Sequence, residues 1–360
     1  MQEFMSLKKV NRIIIFSPLP PPEGGIASWT ADYLRYANLV KRNVVHINTS
    51  IVGKNITFHE NRNVFDEIKR TSQILKQIKS VSKITKEDVV HYNTSCSLFG
   101  MIRDYLFFFK HFKKAKVLMQ CHCDVSLYIN SKFKLWVFKK VAKLCNKILV
   151  LNKQSLDFVK SCGIKTKVQY FPNFIDVQAT ALPANKKNDI LNIAFVGHIR
   201  KEKGFDILVG CAKKYPQISF HVFGQKPAEF VDPELSNIIF HGVLSKPDLF
   251  KQLATIDVLL APSMAEGFSI SLLECLSLGL LVISSPAGAS NIVLSNTKNI
   301  VTKDFKLESF ENAIFNMLKL PKEEIQQCSI DNVNLAKKYD KSIVLRDLFN
   351  LYNELYRIQG

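Results

Sequence analysis

Residues 257–288 read DVLLAPSMAEGFSISLLECLSLGLLVISSPAG. A short apolar run, 257–261, stops at Pro262-Ser263, because proline has no amide to give to a strand ladder. After a polar loop, apolar residues recur at helical spacing over 270–278, and Gly279 ends them. LLVISS (280–285) is a second strand-like run. Strand, helix and strand in close succession make a βαβ unit, whose two strands are parallel. Glu266 stands just before the helix and Glu274 on its second turn. A helix start offers free amides and the positive end of the backbone dipole, which suits an anion. Carboxylates beside it can accept hydrogen bonds from sugar or ribose hydroxyls. The plain alternative makes Glu266 a helix cap and Glu274 a solvated side chain. Glu274, however, lies in LLECLSLGLL, where a carboxylate is costly without a partner.

The same alternation extends in both directions. Upstream in this half lie LNIAFVG (191–197), ISFHVFG (218–224) and IIFHG (238–242), with helical patterns between them. The first half has RIIIF (12–16), VVHIN (44–48), DVVHYNTS (88–95), KVLMQCH (116–122) and KILVLN (147–152). Helices are expected at 26–38, 64–81 and 132–145, the first of them after the Pro-rich loop SPLPPPEGG (17–25). Residues 177–190 have no periodicity and read as a linker. The expected fold class is α/β, with two Rossmann-like doubly wound domains facing across a cleft. The first domain is expected over 1–176 and the second over 191–340. Residues 341–360 form a helix expected to return to the first domain. Ligands of such sheets bind outside the carboxyl ends of the strands.

Composition narrows the function. Of 360 residues, 47% are hydrophobic and 22% charged, which excludes a disordered chain. No apolar run approaches the roughly 20 residues of a membrane span, and the N-terminus lacks a secretory segment. A soluble, cytoplasmic protein is expected. Eight cysteines in a chain this long are no disulfide framework, and Cys121 and Cys123, flanking His122, read as reduced thiols. The net charge is +18. Residues 1–180 hold 29 Lys and Arg against 12 Asp and Glu, whereas residues 181–360 hold 20 against 19. A basic first half suits nucleic acid, an acidic lipid surface or a phosphorylated substrate. Within it, DYLFFFKHFKKAK (104–116) and KFKLWVFKKVAKLCNK (132–147) interleave aromatics with lysines. The second predicts a helix with Phe133, Trp136, Val137 and Val141 on one side. That side either meets a membrane interface or packs into the domain. No G-x-G-x-x-G follows Phe16 or Gly197 and no P-loop occurs, so a dinucleotide oxidoreductase or P-loop enzyme is not expected.

Glu266-GFSISLL-Glu274, followed by Gly279 and VISS, resembles the E-x7-E signature of the family 4 glycosyltransferases of GT-B fold, of the bacterial surface-polysaccharide type. Pro262-Ser263, VGHIRKEKGFDIL (196–208), FPNFID (171–176), His122 and Gly24-Gly25 stand in the order and spacing of that family. The resemblance implies a retaining, metal-independent transfer from a UDP- or GDP-sugar to a hydroxyl of a glycan or polyprenyl-diphosphate-linked acceptor. No cofactor or metal is expected beyond the donor. The implied catalytic residues are Glu266, His122 and Lys203. Glu274 would take the ribose, Lys203 and Arg200 the diphosphate, and Glu266 the sugar. Gly197, Gly267, Phe268 and Ser269 would line the donor site, and Gly24 and Gly25 would form the glycine loop. His122, at a strand end, would lie near the reacting carbon, with Asp124 orienting it or binding acceptor.

The chain departs from the family pattern at three places. His198 stands where an arginine is common, Asn291 where a glutamate is common, and Asn173-Phe174 where many members have Asn-Gly. Altered specificity is the expectation. The basic first domain implies an anionic membrane partner at the inner face of the plasma membrane, and nucleic acid is not expected as a partner. Two other readings stand beside this one. A non-catalytic GT-B-like binding protein would neither hydrolyse nor transfer a donor sugar. A basic nucleic-acid-binding protein would show tight, salt-sensitive binding.

Overall fold

The structure, a computed structural model, describes residues 10–21, 24–50, 64–177, 191–226 and 235–357. The chain forms two compact units, residues 1–172 with 342–360, and residues 173–341. The expected linker lies, apart from Val177, outside the described residues.

In the first unit β1 (Arg12–Ser17), β2 (Val44–Asn48), β3 (Asp88–Thr94), β4 (Lys116–Cys121), β5 (Lys147–Val150) and β6 (Lys167–Tyr170) make one parallel sheet. Its order is β2-β1-β3-β4-β5-β6, so the winding reverses between β1 and β3. Ile13–Phe16 and Val89–Tyr92 are buried on both faces, which is why these strands read as unbroken apolar runs. The connecting helices are α1 (Gly25–Leu39), α2 (Val64–Ser80), α3 (Leu98–Arg103), α4 (Phe109–Phe112), α5 (Val125–Tyr128), α6 (Lys132–Ala142) and α7 (Lys153–Ser161). A π-helical turn, Asp104–Phe108, joins α3 to α4. Phe108 and Phe112 from this segment pack on Phe16 at 5.4 and 5.8 Å between ring centroids.

The second unit has β7 (Asn192–Val196), β8 (Ser219–Phe223), β9 (Ile238–Phe240), β10 (Val258–Ala261), β11 (Leu281–Ser284) and β12 (Ile300–Val301), again all parallel. Counted from β7, the order is 6-5-4-1-2-3, with the reversal between β7 and β10. Its helices are α8 (Phe205–Lys214), α9 (Lys246–Leu253), α10 (Ile270–Ser277), α11 (Ser290–Val293), α12 (Leu307–Leu318) and α13 (Lys322–Lys337). The quoted βαβ stretch is β10, α10 and β11, with Val258 opposite Leu281. The last helix, α14 (Lys341–Arg357), lies mostly in the first unit. There it buries Leu345, Leu348 and Tyr352, and Tyr352 hydrogen-bonds His91 Nδ1 at 2.6 Å.

Both sheets hold one strand more than the sequence pattern marks. β6 is a half-exposed edge strand, KVQY, and β12 is two residues long, so neither leaves an apolar run. The aromatic helix also needs correcting. The buried arc of α6 passes through Val137, Phe138, Val141 and Ala142. Phe133 and Trp136 fall on its flank, remain 56% and 55% exposed, and stack on each other at 6.0 Å.

Candidate functional site

At the end of β7 the chain leaves the sheet at Gly197, crosses His198–Arg200 and makes a 3-10 turn over Lys201–Lys203. Gly204 follows in the left-handed region, at φ +72°, and starts α8. A Cβ there would sit 2.3 Å from the carbonyl oxygen of Pro262, so this loop lies directly on the loop after β10. Met264 N–H donates to Glu202 O at 2.8 Å and fastens the two. The result is an ion pair between Lys203 Nζ and Glu266 Oε2, with both side chains partly exposed. It stands at the carboxyl ends of β7 and β10, where the winding of the second sheet reverses and ligands of such sheets bind.

Glu266 does not cap α10. Ser269 does, its Oγ accepting from Leu272 N at 3.2 Å. Gly267 and the buried Phe268 bridge the two, and Asn173 Nδ2 donates to Phe268 O at 3.1 Å. The Phe268 ring meets Tyr339 edge-on at 5.7 Å. Asn173 therefore braces the loop that carries Glu266. Glu274 is buried, 8% exposed, with Oε1 held 3.1 Å from Lys246 Nζ. Lys246 is the first residue of α9, behind the Ser245 cap. Nothing in the sequence pattern singles it out, because the pairing spans two helices. Arg200 precedes the turn, and its carbonyl accepts from Lys203 N at 3.1 Å. Asn291 is exposed on α11, 3.4 Å from Pro286 O through Nδ2.

The other predicted residues belong to the first unit. His122 follows β4 and donates its backbone N–H to Thr94 O at 2.8 Å. Its ring lies edge-on to Trp29 at 5.2 Å, and its Nε2 is 3.0 Å from Asn93 Oδ1. Burial pushes its pKa down to about 3, and His91 beside it is pushed down to about 3 in the same way. Neutral imidazoles therefore line this strand end at physiological pH. Asp124 is committed to structure: it caps α5 through Ser126 N at 3.0 Å. Gly24 and Gly25 open α1, with Ser28 N donating to Gly24 O at 2.9 Å. A Cβ on Gly25 would meet no heavy atom within 4 Å. Cys121, Cys123 and the other six cysteines are free thiols. Among the described residues no helix is long and apolar enough to cross a membrane.

Comparison with known proteins bears on the fold and the family. Residues 191–319 match the family described as glycosyl transferases group 1. The chain is 25% identical over 313 residues to an uncharacterized 41.2 kDa protein of the cps region of Klebsiella pneumoniae, covering 81% of this chain and 84% of that one. It is 24% identical over 176 residues to the alpha-galactosylglucosyldiacylglycerol synthase of Streptococcus pneumoniae, covering 42% of this chain and 47% of the synthase. Among solved structures, sucrose-phosphate synthase from Thermosynechococcus elongatus superposes with a TM-score of 0.77 at 13% identity, over 97% of this chain and all of that one. Anabaena HepE, solved with UDP and glucose, superposes with a TM-score of 0.70 at 14% identity, over 96% of this chain and all of HepE. Residues 191–319 are therefore similar to the glycosyl transferases group 1 family, and the chain has the GT-B fold of these solved structures.

Proposed function

We propose that this protein is a retaining glycosyltransferase that moves a sugar from a UDP- or GDP-sugar to a hydroxyl of a glycan or lipid-linked acceptor, in the synthesis of a cell-surface polysaccharide. The observation that carries this reading is the Lys203–Glu266 ion pair at the strand ends of β7 and β10, inside the matched domain. An ammonium there offsets the charge that develops on a departing diphosphate, the task a divalent ion performs elsewhere. Glu274, held by Lys246, accepts hydrogen bonds from the ribose, and Glu266 meets the sugar once the donor diphosphate draws Lys203 away. Gly197, Arg200, Gly267, Phe268 and Ser269 frame the donor, and the open side of Gly25 leaves room for a ligand. His122 is assigned to the transferred sugar. No side chain is needed as a covalent nucleophile. The acceptor hydroxyl attacks on the face the diphosphate leaves, and its proton passes to the leaving phosphate. The cps-region relative and the UDP-bound neighbour support a nucleotide-sugar donor and a polysaccharide setting.

The test is thermal denaturation in EDTA against UDP, GDP, ADP, CMP and their sugars, followed by donor hydrolysis with the nucleotide that stabilises. Stabilisation by one nucleotide and slow release of its sugar are expected. A protein unmoved by the whole panel, with no hydrolysis, would overturn the reading in favour of a non-catalytic binding protein.

We place the acceptor side at an anionic membrane surface. Phe99, Leu127, Tyr128, Phe133 and Trp136 are all exposed, and α3 lies beside α6. Of the α6 lysines, Lys140 places its Nζ 5.4 Å from the Trp136 ring centroid. Exposed aromatics rimmed by lysines are the composition of a helix seated at an anionic bilayer surface.

A further inference from the structure

Three neighbouring strands of the first unit open on a lysine: β4 at Lys116, β5 at Lys147 and β6 at Lys167. Lys147 stands opposite Lys167 in register, and Leu118, two residues beyond Lys116, stands opposite Lys147. Side chains alternate along a strand, so all three lysines leave the sheet on the same face, from strands about 4.8 Å apart. Like charges set side by side in this way oppose folding. Water does little to relieve Lys147, whose side chain is only 17% exposed. Glu354 Oε2 lies 4.0 Å from its Nζ, on a side chain that is 63% exposed.

A groove of about 500 Å³ opens at this end of the sheet, lined by Lys147, Lys160, Lys167, Thr166 and Gln169 together with Ile164 and Val168. That is the size of a small-molecule site. At the start of β4 a second hollow, about 310 Å³, is lined in part by Lys113, Lys114 and Lys116. Among the described residues, no acidic side chain lines either one. Lys160 stands in the last turn of α7, where it complements the helix dipole. Lys116, Lys147 and Lys167 belong to strands, and that explanation does not extend to them. The groove is also distinct from the site described above. His122 follows the other end of β4, about 17 Å of strand from Lys116.

We propose that this groove is a second anion site, which binds a phosphomonoester or diphosphate group independently of the donor site of the second unit. Lys147, Lys160 and Lys167 bring three positive charges and Glu354 offsets one, which leaves two. A phosphate group matches that sum, since it carries about −1.5 to −2 at pH 7 on three strong acceptor oxygens. A carboxylate carries a single charge and leaves the lysines under-neutralised. The Thr166 hydroxyl is 2.8 Å from Ala142 O and gives its proton there, so the Gln169 amide is the neutral donor of the groove. A bound phosphate screens Lys147 from Lys167. The pairing that opposes folding then becomes the one that holds the ligand.

Calorimetric titration with sodium pyrophosphate tests the site in wild type, in Lys203→Ala and in the double variant Lys147→Gln, Lys167→Gln. Lys203→Ala should keep a pyrophosphate site that the double variant weakens at least about tenfold. Loss of all binding in Lys203→Ala, or binding untouched in the double variant, overturns the proposal, and neither result depends on whether a sugar is transferred. Succinate bound as tightly as pyrophosphate overturns the assignment to phosphate. Urea denaturation without added anion separates a ligand site from a merely structural role. Lys167→Gln should be at least as stable as wild type, because it removes a like-charge contact, and a lowered midpoint would overturn the proposal. Phosphate could come from a lipid headgroup or a soluble compound, and sedimentation with phosphatidylglycerol vesicles distinguishes them. Weaker vesicle binding by the double variant, with competition by pyrophosphate in wild type, assigns the groove to a headgroup. Equal vesicle binding beside lost pyrophosphate binding assigns it to a soluble ligand.

Discussion

Gly204→Ala tests whether the geometry of the proposed donor site in the second unit depends on backbone contact between two loops. Two costs apply. The residue holds φ +72°, where an alanine costs roughly 1–2 kcal/mol. Its Cβ would also lie 2.3 Å from Pro262 O and 2.8 Å from Pro262 Cβ. Ordinary contact needs about 1 Å more, and the near atoms are backbone, so the loops must part by about that distance. Parting stretches the 2.8 Å bond from Met264 N to Glu202 O and separates Lys203 from Glu266. Crowding adds about 1–3 kcal/mol to the strain, and a 1 Å error in catalytic geometry is worth about 100-fold in rate. Gly163→Ala is the control, because Gly163 has φ +67° and an open side, so it carries the strain without the clash. Urea denaturation should show Gly204→Ala losing about 2–5 kcal/mol and Gly163→Ala about 1–2 kcal/mol. Donor hydrolysis, scaled to folded protein, should fall about 100-fold in the first and stay near wild type in the second. Hydrolysis by folded Gly204→Ala within threefold of wild type would refute the reasoning.

Lys203→Ala and Glu266→Gln should each lower kcat by about 100-fold or more, while a half-exposed ion pair leaves stability within about 1 kcal/mol. Steady-state kinetics beside thermal melts separate the two effects, and normal turnover in either variant removes that residue from the chemistry. Lys246→Met leaves the buried Glu274 carboxylate without this cation, so affinity for the nucleoside diphosphate should drop about tenfold; equal affinity by calorimetry would show that Lys246 does not support Glu274. His91 and His122 bind protons near 6.5 when unfolded but only near 3 when folded. Their share of stability is therefore intact above pH 6.5 and lost as pH falls toward 3, at about 1.4 kcal/mol per pH unit for each ring; urea midpoints flat from pH 7 to 4.5 in wild type, or equally steep in His122→Gln, would contradict this. Phe133→Ser with Trp136→Ser should weaken sedimentation with phosphatidylglycerol vesicles and leave the urea midpoint nearly unchanged, since both rings are exposed; undiminished vesicle binding would move the membrane contact elsewhere.

Much of this protein is legible in its sequence, because buried parallel strands must be apolar on both faces. Runs such as RIIIF and DVVHY are therefore strands in any reading, and their alternation with helical stretches predicts two doubly wound sheets. Edge strands escape that logic. The polar KVQY of β6 becomes a strand only because β5 offers it a ladder. The paired glutamates also stand out, since a carboxylate in LLECLSLGLL needs a reason. That reason, Lys246, is 28 positions away on another helix, and local pattern does not reach that far. Phe133 and Trp136 show the converse case. Helical spacing puts them near the apolar side of α6, and only the packing of the sheet beneath decides which arc is covered.

Residue types and order alone determine the α/β class, the basic first half and the E-x7-E loop. Each of these depends on local chemistry: which backbones can pair, which side chains leave water, and where a proline stops a strand. Tertiary structure decides which loops touch and which polar groups meet. Gly204 lies against Pro262 and brings Lys203 to Glu266 only because β7 and β10 are neighbours in the sheet. The hydrogen bonds that run from His122 through Asn93 and Ser17 to Thr30 join residues scattered through the chain, which meet only once β1, β3 and α1 have packed. Such a series exists only in three dimensions.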